Sequence, residues 1–136
     1  MAKFRLVSTG NGDSLPEVSC AIASATVIAP GSLVTLSSGL IIAAVAASTA
    51  VGYCENGSRD GETSVNVSVG NDFVLEGTGD AVFAATQKGV AVDITDAQLI
   101  DVGTSSTLVV RQDISENAGT VGATTGMRIK INVPLF

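Results

Sequence analysis

Two segments of the chain alternate strictly between apolar and polar residues. In residues 64–69 a Val occupies every second position, with Ser or Asn between. In residues 127–133 Met, Ile and Val alternate with Arg, Lys and Asn. A period of two is the spacing of a β-strand with one buried face and one wetted face. We therefore expect a core that includes Val65, Val67, Val69, Ile129, Ile131 and Val133.

Turn residues separate about eight short apolar segments at intervals of roughly ten residues. Ser37-Ser38-Gly39 lies between two such segments and predicts a β-hairpin. The best helix candidate covers residues 80–88, because Asp80 can cap its first turn and Gly89 can end it. The pattern predicts one mainly β domain over residues 1–136. We expect a small barrel or sandwich-like fold of about eight short strands, with one short helix and an N-terminal arm, residues 1–15.

The composition agrees with this fold and excludes several kinds of chemistry. Val and Ala supply most of the apolar side chains, with 18 and 17 residues. Residues that favour helices, such as Leu, Glu and Lys, are scarce. The chain has no His, which excludes a Ser-His-Asp triad, an imidazole base and a His-ligated zinc site. We expect no enzymatic activity and no cofactor.

The charge pattern argues against two classes of partner. Only seven Lys and Arg residues are spread along a chain of net charge −6. Nucleic-acid binding needs clustered cations to displace counterions from phosphate, so we expect no nucleic-acid partner. The longest apolar run, Leu40–Ala47, is too short to span a bilayer, so we expect no membrane partner. No apolar segment of signal-peptide length follows the N-terminal basic residues, so we expect no secretion.

One loop comes close to a calcium-binding pattern. Asn56, Ser58 and Asp60 occupy positions 1, 3 and 5 of an EF-hand-like loop, and Gly61 occupies position 6. Position 12, where a bidentate Glu is required, is Val67. A polar hairpin turn is the simpler interpretation, and we expect no metal site.

Two further motifs are weak. Asp93, Asp96 and Asp101 form the densest acidic group, and paired carboxylates can perform acid–base chemistry or bind magnesium. We interpret the group as a solvated edge. Gly77-Thr78-Gly79 precedes the predicted helix but lacks the Lys of a phosphate-binding loop, so we interpret it as the entry to that helix.

The chain has two cysteines, Cys20 and Cys54, which could form one disulfide. Because no secretion signal is expected, we predict that both are reduced, buried thiols that behave as small hydrophobic residues.

The N-terminal segment combines basic and apolar residues and is followed by a group of turn residues. Such a segment can dock on a partner, or it can be an edge strand of its own domain, and the sequence leaves both open. The candidate partner-binding residues are Lys3, Phe4, Arg5, Leu6 and Val7.

From about Gly31 to Val133 the order of these pieces resembles small capsid decoration proteins of tailed phages, also called cement or head-stabilising proteins. The resemblance lies in the spacing of glycines and β-segments, without catalytic residues. The segments that carry it are GSLVTLSSGLIIAAVA, AVGYCENGSRDGETSVNVSV, GVAVDIT (residues 89–95) and the terminal MRIKINVPL.

This resemblance implies a structural protein of the bacteriophage virion. Such a protein is a homotrimer that binds the major capsid protein on the outer surface of an assembled head, at three-fold or quasi-three-fold positions. It is present in the host cytoplasm during assembly. Three linked sites bind with avidity, so modest contacts per protomer suffice. The alternative function is a small carbohydrate- or host-binding β module of a spike or tail, which would need exposed aromatic side chains.

Overall fold

The computed structural model describes residues 3–9, 16–70, 73–105, 110–112 and 119–131. Within them the chain is mainly β, with two sheets in a sandwich-like arrangement. None of the described helices is long and apolar enough to cross a membrane. The strands are β1 Arg5–Thr9, β2 Glu17–Ala21, β3 Ser32–Ser37, β4 Leu40–Ala43, β5 Gly52–Cys54, β6 Ser64–Ser68, β7 Phe73–Gly79, β8 Ala91–Asp96, β9 Leu99–Ser105, β10 Val110–Gln112 and β11 Met127–Ile131.

The first sheet has six strands in the order β1-β7-β11-β10-β8-β9. Neighbours in this order are antiparallel. At its far end β7 also pairs in parallel with the start of β9, through Thr78 and Leu99. The sheet therefore curves until its last strand, β9, meets the end of β7, while β1 pairs with the first half of β7.

The second sheet has five antiparallel strands in the order β2-β6-β5-β3-β4. Its two edge strands meet at a single bridge between Ile22 and Ile41. The N–H group of Ala23 also donates a 3.1 Å hydrogen bond to the carbonyl oxygen of Ile41. The second sheet is therefore curled.

The curled sheet buries side chains on both faces. Leu33 and Val34 are consecutive in β3, so they point to opposite faces. Leu33 belongs to a core cluster shared with the first sheet, whereas Val34 belongs to a second cluster within the curled sheet. Tyr53 and Cys54 divide in the same way. Two apolar layers thus stabilise this sheet.

The predicted core faces are confirmed for the described residues. Val65, Val67 and Val69 are buried in the second cluster, and Ile129 and Ile131 are buried in the first. Val133 lies outside the described residues. The predicted hairpin is also present: Ser37 pairs with Leu40. The two residues between them, Ser38 and Gly39, have φ angles of 52° and 79°, as a two-residue type I′ turn requires.

The helix predicted over residues 80–88 is reduced to one 3₁₀ turn, Ala85–Gln87. Asp80 does not cap it. Its carboxylate instead accepts a 3.0 Å hydrogen bond from the Val102 N–H group, and its own N–H group donates to the carbonyl oxygen of Ile100. The carboxylate and the N–H group of Asp80 are therefore hydrogen-bonded to strand β9 and not to the start of a helix. The expectation for Gly89 is consistent with its φ of 77°.

Candidate interaction site

The N-terminal segment forms an edge strand of its own domain, which is one of the two alternatives left open by the sequence. Strand β1 pairs antiparallel with β7, and Leu6 lies opposite Leu75. The register shifts between Leu6 and Ser8, so Val7 is the extra residue of a β-bulge. Among the described strands β1 pairs only with β7, so its other edge is open. Residues 1, 2 and 10–15 of the predicted arm lie outside the described residues.

Phe4 anchors the start of this strand. Its side chain is only 1 % exposed and belongs to the first core cluster. Its N–H group donates a 2.8 Å hydrogen bond to the carbonyl oxygen of Gly31, and its carbonyl oxygen accepts a 3.0 Å hydrogen bond from the Tyr53 hydroxyl. Tyr53 lies in β5 of the second sheet and Gly31 directly precedes its strand β3, so Phe4 connects the two sheets.

Two glycines make room for this anchor. A Cβ on Gly77 would overlap the ring carbons Cδ1 and Cε1 of Phe4. A Cβ on Gly31 would lie 2.6 Å from the Phe4 carbonyl oxygen, and Gly31 also has a φ of 77°, which favours glycine. The interpretation of Gly77-Thr78-Gly79 as a helix entry is therefore wrong. These residues end strand β7, and Gly77 is where an aromatic ring packs against the backbone.

Tyr53 is buried beside the same anchor. Its ring lies 6.5 Å from that of Phe73, centroid to centroid, in a tilted arrangement. Burial, and to a lesser extent the Glu55 carboxylate and the thiolate that Cys54 forms at high pH, raise the pKa of Tyr53 to about 12. The phenol therefore keeps its proton, and its hydrogen bond to Phe4, at any physiological pH.

A row of charges crosses the outward side of the first sheet. Arg5, Glu76 and Arg128 are register neighbours on β1, β7 and β11. Arg5 Nη2 lies 2.7 Å from Glu76 Oε1, and Arg128 Nε lies 4.0 Å from Glu76 Oε2. Lys130, two residues after Arg128, lies on the same side of β11 because residues 127, 129 and 131 are buried. We call Arg5, Arg128 and Lys130 the basic face.

The basic face is unusual on this acidic chain. It holds three of the seven basic residues, and two of them, Arg5 and Arg128, pair with the Glu76 carboxylate. Lys3 is exposed two residues before Arg5. Cations grouped in this way attract an acidic protein surface and orient its approach.

The structure brings two of the three aspartates together but does not support their interpretation as one solvated edge. Asp93 and Asp101 are register partners on β8 and β9. Asp93 is buried, and both of its carboxylate oxygens lie 3.1 Å from the Ala47 N–H group. For Asp93 the solvated-edge interpretation is therefore wrong, since this carboxylate holds the 45–48 turn. Asp96 is exposed and accepts a 2.8 Å hydrogen bond from the Gln98 N–H group.

The loop with the calcium-like spacing is a turn that lines an open depression of about 680 Å³. Ser58 and Ile28 form two hydrogen bonds of 2.8 Å each. The Ser58 N–H group donates to the Ile28 carbonyl oxygen, and the Ile28 N–H group donates to Ser58 Oγ. Glu62 accepts a 2.8 Å hydrogen bond from the Arg59 N–H group. In the part of the chain that the structure describes, no three carboxylate, thiol or imidazole groups converge on one point.

A second surface combines two loops that carry mostly small residues, with Asp80 as their one charged residue. Residues 80–85 and 119–126, which we call the loop platform, are joined by hydrogen bonds such as Phe83 N–H to Ala123 C=O and Gly122 N–H to Phe83 C=O. Val82 and Val121 on this platform are 53 % and 66 % exposed. Residues 119–126 have no charged side chain. Such a surface is poorly protected against association.

The two cysteines are free thiols. Cys54 is buried, as predicted, but Cys20 is only half-buried because it lies on edge strand β2. Burial raises the pKa of both thiols, and a backbone hydrogen bond at Gly57 partly offsets this for Cys54.

The sequence interpretation missed Gly31, Tyr53 and Gly77 as partners of Phe4. A glycine inside a segment of strand pattern signals close approach of another group, and Gly77 carried that signal. No protein-family model, curated protein or solved structure matches the chain.

Proposed function

We propose that this chain is a non-enzymatic structural protein of a phage virion that binds the outer surface of the assembled head and stabilises it, as a homotrimer. The resemblance of residues 31–133 to capsid decoration proteins names this class. The observation on the structure that supports it best is the basic face. A net charge of −6 combined with a local group of cations suits docking on an acidic protein shell.

Two surfaces have complementary roles in this proposal. The basic face, with Lys3 beside it, contacts acidic groups of the major capsid protein. The loop platform, with Val82 and Val121 exposed, contacts neighbouring protomers. Since three protomers bind together, each contact can be weak while the complex is stable.

Burial of the aromatic residues is unfavourable to the alternative function of carbohydrate binding. Phe4, Tyr53, Phe73 and Phe83 are each 1 % exposed. Phe136 lies outside the described residues. A sugar-binding module stacks its ligand on exposed rings, and none of these four rings is accessible.

The test compares two double variants that remove the same amount of charge. Arg5→Ser/Lys130→Ser removes two cations from the basic face. The control, Arg59→Ser/Lys88→Ser, removes two exposed cations from elsewhere. We expect the first variant to bind empty phage shells at least tenfold more weakly, which is about 1.4 kcal/mol. We expect the control to bind within about threefold of wild type.

Sedimentation with purified shells measures the binding, and thermal unfolding verifies that both variants are folded. Equal binding by the two variants would show that the basic face does not contact the shell. Absence of shell binding by the wild-type protein, together with binding on a glycan array, would favour the carbohydrate-binding alternative. A monomeric mass for the wild-type protein, both free and on shells, would contradict the trimer.

A further inference from the structure

Strand β1 is held by a built receptor site. We call this site the strand socket and define it as Gly31, Tyr53, Glu76, Gly77 and the edge of β7. It offers a carbonyl acceptor, a buried hydroxyl donor, a carboxylate and a gap in which an aromatic ring fits. Each of these groups meets a different part of residues 4 and 5. The socket therefore recognises an extended segment with an aromatic residue followed by a cation.

The contacts do not depend on the covalent connection between β1 and β2. Every member of the socket lies beyond β2 in the chain, and the first of them is Gly31. The same segment from any source would thus find the same partners. Moreover, β1 pairs with no described strand other than β7, so its release breaks only one ladder of backbone hydrogen bonds. The release exposes the edge of β7, which can then pair with another strand.

The connection between β1 and β2 is short in sequence. Seven residue steps lead from Thr9, the register partner of Phe73, to Pro16, whose carbonyl oxygen accepts a 3.1 Å hydrogen bond from the Val69 N–H group. Seven steps span at most about 24 Å when extended. A second copy must therefore place its socket within about that distance of the first copy's β2 to receive β1.

We propose that the strand socket is a strand-acceptor site that takes β1 from a second copy of this chain. The proposal rests on the proposed assembly role and names what the N-terminal segment contacts on a neighbour. The contacts are equal within a chain and between chains, so local concentration decides the balance. A short tether holds its segment at an effective concentration in the millimolar range, ~1 mM. Exchange is therefore favoured where copies are crowded together, as on a shell.

A cut chain tests whether the socket accepts a separate strand. A protease site is inserted among residues 10–14, the folded protein is cut, and a fluorescent peptide of residues 2–9 is added. We expect the peptide to replace the cut strand and its anisotropy to rise. A Phe4→Ala peptide should bind about 100-fold more weakly, because it leaves the ring site empty. A Val7→Ala peptide is the matched control, since Val7 is the bulge residue, and it should bind within about fivefold of the parent peptide.

Two full-length variants test whether a second copy is the occupant. Gly77→Val blocks the socket but keeps the strand, whereas Phe4→Asp disables the strand but keeps the socket. We expect their mixture to form a heteromer, seen by native mass spectrometry, that neither variant forms alone. If either variant is unfolded alone, recovery of its folded signal in the mixture reports the same complementation.

Three outcomes separate the possibilities. A cut chain that binds neither its own cut strand nor the added peptide overturns the acceptor site. Peptide exchange without a heteromer, or without recovery of folding, overturns the second copy as occupant. If shell binding persists in either case, the proposed function is still supported and only the exchange of β1 between copies is contradicted.

Discussion

The hydroxyl of Tyr53 donates a 3.0 Å hydrogen bond to the carbonyl oxygen of Phe4, and this bond fastens the first strand of one sheet to the other sheet. Both residues are 1 % exposed, so water cannot replace the bond when it is lost. A buried acceptor without a partner costs about 1–3 kcal/mol. The N-terminal strand is therefore part of the core, and its cohesion depends on the protonation of a phenol.

The Tyr53 bond predicts a loss of stability at high pH. The pKa of Tyr53 is 10.0 in an ordinary environment and about 12 in the folded protein. Between these values the folded state binds more protons than the unfolded state, so the free energy of unfolding falls as pH rises. At about 1.4 kcal/mol per pKa unit, the expected loss between pH 10 and 12 is roughly 2–3 kcal/mol.

Urea unfolding of the wild type and of Tyr53→Phe, at about pH 8, 10, 11 and 12, measures this loss. All other side chains are the same in the two proteins, so the difference between them isolates Tyr53. We expect the wild-type advantage to shrink above pH 10. A constant difference over this range would show that Tyr53 does not couple folding to pH.

Substitution of Phe4 tests how much the N-terminal strand contributes to the free energy of unfolding. Phe4→Ala should lower the free energy of unfolding by about 3–5 kcal/mol, as for other buried Phe residues, because the ring site beside Gly77 is left empty. Val7→Ala is the matched control on the same strand. Val7 is half-buried at a bulge, so we expect a loss of about 1 kcal/mol or less. Equal losses, measured by urea unfolding, would contradict the anchor.

The sequence predicted what is local and missed what joins distant segments. Ser37-Ser38-Gly39 indicated its hairpin because it separates two short apolar segments, and the valines of β6 indicated their buried face by their period of two. The contact of Phe4 with Gly77 joins residues that are far apart in the sequence, and no local pattern encodes such a pairing. Asp93 was misinterpreted for the same reason. The N–H group that it accepts comes from Ala47, in a turn between two strands of the other sheet.

Val67 predicts the cost of charge in the second core cluster. It is fully buried, so Val67→Asp would place an unpaired carboxylate among apolar side chains and cost several kcal/mol, about 3–5. Asn66→Asp is the control, since residue 66 lies on the exposed face of the same strand. We expect it to change the thermal midpoint by only one or two degrees, about 0.5 kcal/mol. An unchanged midpoint for Val67→Asp would show that the face assignment is wrong.

The thiols predict a graded alkylation pattern. Cys20 is half-buried and Cys54 is buried, and burial raises the pKa of both, so neither forms thiolate readily. Iodoacetamide without reductant should modify Cys20 slowly in the native protein and Cys54 only after denaturation, as followed by intact mass. A native mass two hydrogens lighter, with neither thiol reactive in denaturant, would instead reveal a disulfide and overturn the prediction.

Asp93 and Asp101 predict opposite effects for two substitutions of the same type. Asp93→Ala leaves the Ala47 N–H group without its acceptor, at a position where Ala47 is already held at a φ of 64°. We expect a loss of about 1–3 kcal/mol in the free energy of unfolding. Asp101→Ala removes a like charge from the register position opposite Asp93 and should be neutral or stabilise by up to about 1 kcal/mol. Urea unfolding of both variants at neutral pH measures the contrast. If Asp101→Ala destabilised the chain as much as Asp93→Ala, Asp93 would have no special role in holding the turn.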